Sequence, residues 1–100
     1  MAPVNVGTPG PRKGALAHRI VAATDVAVTI TVATNRHFVM IQNIGTKVAY
    51  IGATNVTTAS FSAYLTPRQT YDFGYVSSGF TVGVITATTE QTNIGVTEHA

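Results

Sequence analysis

The chain has no cysteine and no tryptophan, and only ten of its hundred residues are charged, six Lys or Arg against four Asp or Glu. Each scarcity removes a class of answers. Without cysteine there is no disulfide framework and no thiolate metal site. Charged residues make up about a quarter of an ordinary soluble domain, so here the polar surface has to come from Thr, Ser, Asn and Gln. A net charge of +2 is too weak for a dedicated nucleic-acid binder, whose basic residues cluster along a face. No apolar run approaches the roughly 20 residues that span a bilayer; the most apolar stretch, Val26 to Ala33, is interrupted by threonines. Arg12 and Lys13 imitate the basic start of a secretory leader, but His18, Arg19 and Asp25 interrupt the apolar segment that a leader needs after it, so no leader is expected. Neither nucleic acid nor a membrane is expected as a partner.

Helical periodicity is missing as well, since nowhere do apolar residues recur at helical spacing over ten positions. What is present is Val and Thr, whose branching at Cβ suits a pleated strand. Residues 1–17 hold Pro3, Pro9 and Pro11, which remove backbone donors, together with Gly7, Gly10 and Gly14. They read as an extended N-terminal arm, able to reach roughly 55 Å at about 3.3 Å per residue. Val4, Val6 and Leu16 are apolar anchors that a plain linker does not need, and Arg12 and Lys13, with Arg19 nearby, form the one basic cluster.

From residue 18 to residue 100 the pattern predicts strands. Val26, Val28, Ile30 and Val32 alternate with Ala27, Thr29 and Thr31 to give the clearest one, opened by Asp25, with a shorter strand before it around Arg19 to Ala23. The apolar run of Arg36 to Asn43 predicts a strand covered on both faces, joined through Asn43-Ile44-Gly45-Thr46 to a hairpin partner at Lys47 to Ile51, with Gly45 free to take positive φ. Val56 to Ser62, a weak Thr- and Ser-rich strand or loop, leads to a turn at Pro67. Tyr71, Phe73 and Tyr75 then alternate onto one face. Phe80 to Thr88 is expected as a long strand with Phe80, Val82 and Val84 inward, followed by a hairpin loop at residues 89–93 and a closing strand, Ile94 to Glu98. About seven to eight short antiparallel strands with frequent turns imply an all-β fold, a jelly-roll-like β-sandwich or a small barrel.

Catalytic patterns are not found. Asp25, Asp72, Glu90 and Glu98 are scattered, with nothing to hold two of them at the separation of a carboxylate pair. No GxSxG elbow or Asp-rich calcium loop exists, and Gly7 and Gly10 do not lead from a strand into a helix as a phosphate loop requires. His18, His37 and His99 have no metal-ligand spacing, though His18 and His37 could meet across strands or gather on a symmetry axis. Asn55-Val56-Thr57 matches a glycosylation sequon by chance. No cofactor or metal is expected, and the chain is not read as an enzyme.

The segment Ile41-Gln42-Asn43-Ile44-Gly45, then Val48-Ala49-Tyr50-Ile51-Gly52, then Leu65-Thr66-Pro67 followed by Phe73, resembles a pattern of small tailed-phage structural proteins, including head decoration proteins. In that pattern a strand ends in Q-N-x-G, the next reads V-x-Y-I/L-G, and an L-x-P-G turn precedes a strand with Phe; an apolar strand such as Ile94 to Glu98 closes the domain. The resemblance covers about residues 20 to 98. The chain departs from it at Arg68, where the pattern has glycine. The resemblance implies a β-sandwich virion component. The expectation is a non-enzymatic capsid decoration or cement protein on the surface of a phage head, made in the host cytoplasm. It would act as a homotrimer bound to the major capsid protein, with Val4, Val6, Arg12, Lys13 and Leu16 in the contact. A minor tail or fibre-base protein is the first alternative. A carbohydrate-binding module stacking sugars on Tyr64, Tyr71 and Tyr75 is the second.

Overall fold

In the computed structural model, residues 16–32, 38–77 and 79–99 are described. They contain eight strands and no helix: β1 Ala17–Ala23, β2 Val28–Thr31, β3 Phe38–Asn43, β4 Ala49–Gly52, β5 Ala63–Leu65, β6 Thr70–Tyr75, β7 Thr81–Ile85 and β8 Thr92–His99. Antiparallel pairing joins β1 to β8, β2 to β7, β3 to β6 and β4 to β5. The first four strands and the last four therefore form one long ribbon folded back on itself between β4 and β5. The ribbon is dealt alternately into two sheets. Pairing of β3 with β8 and of β4 with β7 completes one sheet of order β1-β8-β3-β6 and another of order β2-β7-β4-β5. This is the double Greek key of a jelly roll, a sandwich and not a closed barrel.

The core lies between the sheets. Ala23, Ile41, Ile94 and Val96 come from the first sheet and Ile30, Ala49, Ile51, Leu65, Val82 and Val84 from the second. Within β8 the residues at period two, Thr92, Ile94, Val96 and Glu98, are all buried, as a half-buried strand requires. Polar clasps close the two ends of the sandwich. At one end the Arg19 guanidinium pairs with the buried carboxylate of Glu98 through Nη1 and donates from Nη2 to the Thr31 carbonyl on the opposite sheet at 2.8 Å. At the other end Asn43, fully buried on β3, donates from Nδ2 to the carbonyls of Lys47 (2.6 Å) and Leu65 (2.9 Å). Its Oδ1 accepts from the Gly45 N–H (3.1 Å) and the Thr92 hydroxyl (2.7 Å).

Several expectations are corrected. The segment after Asn43 is not a hairpin: β3 and β4 lie in different sheets. The backbone N–H and C=O of Asn43 are taken by Gln69 O and Arg68 N, so the chain leaves β3 and crosses to the other layer. The same holds for residues 86–91, which cross from β7 to β8 between sheets instead of closing a hairpin. The strand expected over Phe80 to Thr88 is only Thr81–Ile85, because Thr86 turns to give its hydroxyl to the Glu90 carbonyl (2.6 Å). The second strand starts at Val28; Val26 is 70% exposed, in a bend where Asp25 accepts from the Thr89 N–H (3.0 Å) instead of opening the strand. In β3 the buried side chains are Val39, Ile41 and Asn43, so this strand is covered on one face and not two. Gly45 has no positive φ. Its requirement is close approach: an added Cβ would lie 1.9 Å from Thr92 Oγ1 and 2.8 Å from Asn93 N.

Tyr71, Phe73 and Tyr75 do not share a face. The β3–β6 register shifts so that Val39 faces Gly74 and Met40 faces Asp72, leaving Phe73 as an extra residue. This is a β-bulge, set by Gly74 at φ 68° and by the Asp72 carboxylate accepting from the Gly74 N–H (2.7 Å). Tyr71 is opposite Ile41 on the core side, whereas Tyr75 is opposite Phe38 on the outer side.

The Pro67 turn closes with Gln69 N–H donating to Thr66 O (3.0 Å) and Arg68 at φ 72°. Proline fixes a negative φ at the first central residue, so a positive φ at the second makes this a type II turn, a conformation that suits glycine. Arg68→Gly keeps both backbone hydrogen bonds of residue 68 and removes a left-handed side chain. It is expected to stabilise the fold by about 1 kcal/mol, read as a rise of roughly 4–8 °C in the thermal midpoint. An unchanged or lower midpoint contradicts the strain.

Candidate functional site: an uncovered sheet face

The two sheets treat their outer faces differently. On the β2-β7-β4-β5 sheet the loop of residues 53–62 folds back over the glycine pair Gly52 and Gly83. Val56 is buried there at 3% exposure, and Phe61 packs its ring on Tyr50 at 4.9 Å. That face is partly covered by its own chain, with Phe61 and Tyr64 still exposed on it. Among the described residues nothing comparable lies over the β1-β8-β3-β6 sheet. Its outward rows follow from register: His18 beside Thr97, Met40 and Asp72, and Ile20 beside Gly95, Gln42 and Thr70. Ile44 folds back toward Gly95, where a Cβ would stand in ordinary contact with Ile44 Cγ2 at 3.6 Å. Ile20 (63%), Ile44 (45%) and Tyr75 (61%) are exposed on this side. The only carboxylate on these rows is Asp72, and its oxygen serves the bulge. Large exposed apolar groups on a weakly charged face mark an interaction surface.

The predicted contact residues divide. Val4, Val6, Arg12 and Lys13 lie outside the described residues. Leu16 is described, 63% exposed immediately before β1. Arg19, grouped with the basic residues by sequence, is instead held by Glu98 and Thr31. Reading by sequence missed the face itself. Its signal was period-two alternation in β1, where His18, Ile20 and Ala22 are exposed while Val21 is partly buried and Ala23 fully buried.

The proposed sugar platform does not assemble. Tyr64 groups with Tyr50 and Phe61 (centroids 6.4 and 6.3 Å), Tyr71 with Phe73 (4.8 Å), and Tyr75 with Phe38 (5.3 Å). These clusters lie on different surfaces. Tyr71, Phe73 and Phe80 line a cleft of about 280 Å³ together with Ile51, Ser62 and Val82. The cleft holds no charged group. His99 stacks on Phe38 at 4.6 Å, and His37 lies outside the described residues. Among the described residues no three His, Cys, Asp or Glu side chains gather as metal ligands, and no helix is long and apolar enough to cross a membrane.

Comparison with protein-family models, with characterised proteins and with solved structures finds no match.

Proposed function

We propose that the chain is a non-enzymatic structural protein of a virion, a decoration or cement protein that binds the outside of a phage head as a homotrimer. The observation that carries this reading is the nearly uncharged outer face of the β1-β8-β3-β6 sheet, which no other described residues cover, on a domain whose opposite face is partly covered by its own loop. Such a face loses little hydration energy and meets little like-charge repulsion when it packs against another protein. The N-terminal arm, through Val4, Val6, Arg12, Lys13 and Leu16, contacts the major capsid protein. Three such weak contacts become tight binding by effective concentration when a trimer sits on a local symmetry axis. The motif resemblance over residues 20 to 98 supports the virion setting.

Immunogold labelling tests the reading. Virions produced by the strain that encodes the chain are purified and labelled with an antibody raised against it. Gold on the heads is expected. Gold confined to tails assigns the chain to a tail or fibre base instead, and purified particles free of the chain overturn the virion role.

A further inference from the structure

A sandwich of two four-stranded sheets has four edges, here β1, β6, β2 and β5. Exposed edges are templates for pairing with other chains, and folded β proteins blunt them with short strands, bulges, charges or proline. Three edges of this molecule are blunted. β5 has three residues and β2 four. β6 carries the Gly74 bulge and Asp72, and begins just after the Pro67 turn. β1 is the exception. It runs seven residues in unbroken register with β8 and contains neither proline nor glycine. Its one formal charge, Arg19, is held by Glu98 and the Thr31 carbonyl. Among the described residues only β8 pairs with it.

We propose that β1 pairs antiparallel with β1 of a second copy, about a two-fold axis at Ile20, joining the two β1-β8-β3-β6 sheets into one. The sequence of β1 is self-complementary in this register. Full overlap of residues 17–23 places Ile20 opposite Ile20, His18 opposite Ala22 and Arg19 opposite Val21, so no like charges face each other. The exposed Ile20 side chains meet in a cross-strand pair on the uncovered face. A foreign strand has no such constraint to satisfy, whereas a copy satisfies every position at once. Two seven-residue strands bury far less than the roughly 1,200 Å² of a stable independent interface. The contact is therefore a secondary one, populated where copies are already concentrated. On a shell it links neighbouring trimers across two-fold axes. The inference does not depend on the virion setting, because it concerns an edge of the purified chain.

The absence of native cysteine makes the test direct. Opposed residues in an antiparallel pair have Cα atoms about 4.5 or 5.5 Å apart, and both fall within disulfide reach. Under air oxidation the full chain carrying I20C is expected to form covalent dimers about tenfold or more faster than V26C, because pairing raises the local thiol concentration. Val26 is at least as exposed but lies off the strand. A register control uses H18C and A22C, both at exposed positions. Mixed together, they should give the 18–22 heterodimer faster than either gives its homodimer. Equal rates for I20C and V26C, or homodimers favoured in the mixture, overturn the pairing. Either result leaves the immunogold outcome unaffected.

Discussion

Gly83→Ala is expected to destabilise the domain by about 3 kcal/mol or more, the upper range for inserting atoms into packed structure. Gly83 is buried in the middle of β7, on the outer face of its sheet, between Gly52 and Thr29. An added Cβ would lie 2.2 Å from Ala53 O, 3.0 Å from Ala53 C and 3.0 Å from Thr54 Cα. All three are backbone atoms, so no rotamer change relieves the clash. Ala53 O also accepts the Val56 N–H (3.0 Å), so moving it disturbs the segment that seats Val56. Since small domains have a total stability of about 5–15 kcal/mol, the loss should be plain in urea unfolding. Gly79→Ala is the control. Gly79 has φ 81° with nothing within 4 Å of a Cβ, so it should cost only the left-handed backbone term of about 1–2 kcal/mol. Equal effects at the two positions would mean that the loop does not press on the sheet.

Asn43→Asp is the second large effect. All of the hydrogen-bonding groups of Asn43 are engaged. Its N–H donates to Gln69 O (3.0 Å), its carbonyl accepts from Arg68 N (2.6 Å), and its amide makes the four contacts to Lys47, Leu65, Gly45 and Thr92. One residue therefore ties the end of β3 to the crossover, to β5, to the Pro67 turn and to the start of β8. A carboxylate at this site has acceptors only, and the oxygen replacing Nδ2 would face two carbonyl oxygens in a buried setting. The expected cost is about 3–5 kcal/mol, from two lost donations and the burial of a charge against acceptors. Asn43→Ala should cost about 2–4 kcal/mol, because it removes hydrogen bonds without adding charge. The order, Asp worse than Ala, is the decisive reading in urea denaturation. If Asp is the milder change, the amide does not clasp the two sheets.

Asn43 also marks the boundary between what was legible in the sequence and what was not. The turn there was legible because an Asx turn is local: the side chain reaches the N–H two residues on, and the Gly45 contact has that form. Leu65 and Thr92 are 22 and 49 residues away in sequence, beyond the reach of any local pattern. Strand existence was likewise legible from period-two alternation and turn residues for seven of the eight strands; β5, Ala63–Leu65, falls between the weak segment Val56 to Ser62 and the Pro67 turn and was not expected. Pairing was not legible. In a jelly roll successive strands alternate between sheets, so neighbours along the chain are often not neighbours in space, and the hairpin expected from Asn43 to Ile51 failed for that reason. The bulge at Phe73 and Gly74 shifted the phase of β6, so counting in twos put Tyr75 on the wrong side. Its sequence signature, Asp72-Phe73-Gly74, was present, because Gly supplies the positive φ and Asp its cap.

The candidate surface was hidden for a different reason. Exposure of Ile20 or Ile44 becomes informative only once no other described segment is seen to cover the sheet face, and that depends on where the 53–62 loop folds. It folds onto the other sheet. The low charge of the chain was legible from the start, and it acquires meaning on this geometry: the rows of His18, Thr97, Met40 and Asp72, and of Ile20, Gly95, Gln42 and Thr70, carry one carboxylate between them on the side that no other described residues cover.

The proposed role rests on self-association, and the molar mass of the full chain in solution tests it most directly. Size-exclusion chromatography with light scattering at micromolar concentration should give three times the 10.5 kDa chain mass, holding on dilution. A clean monomer at every concentration would contradict a preformed trimer and the account built on it.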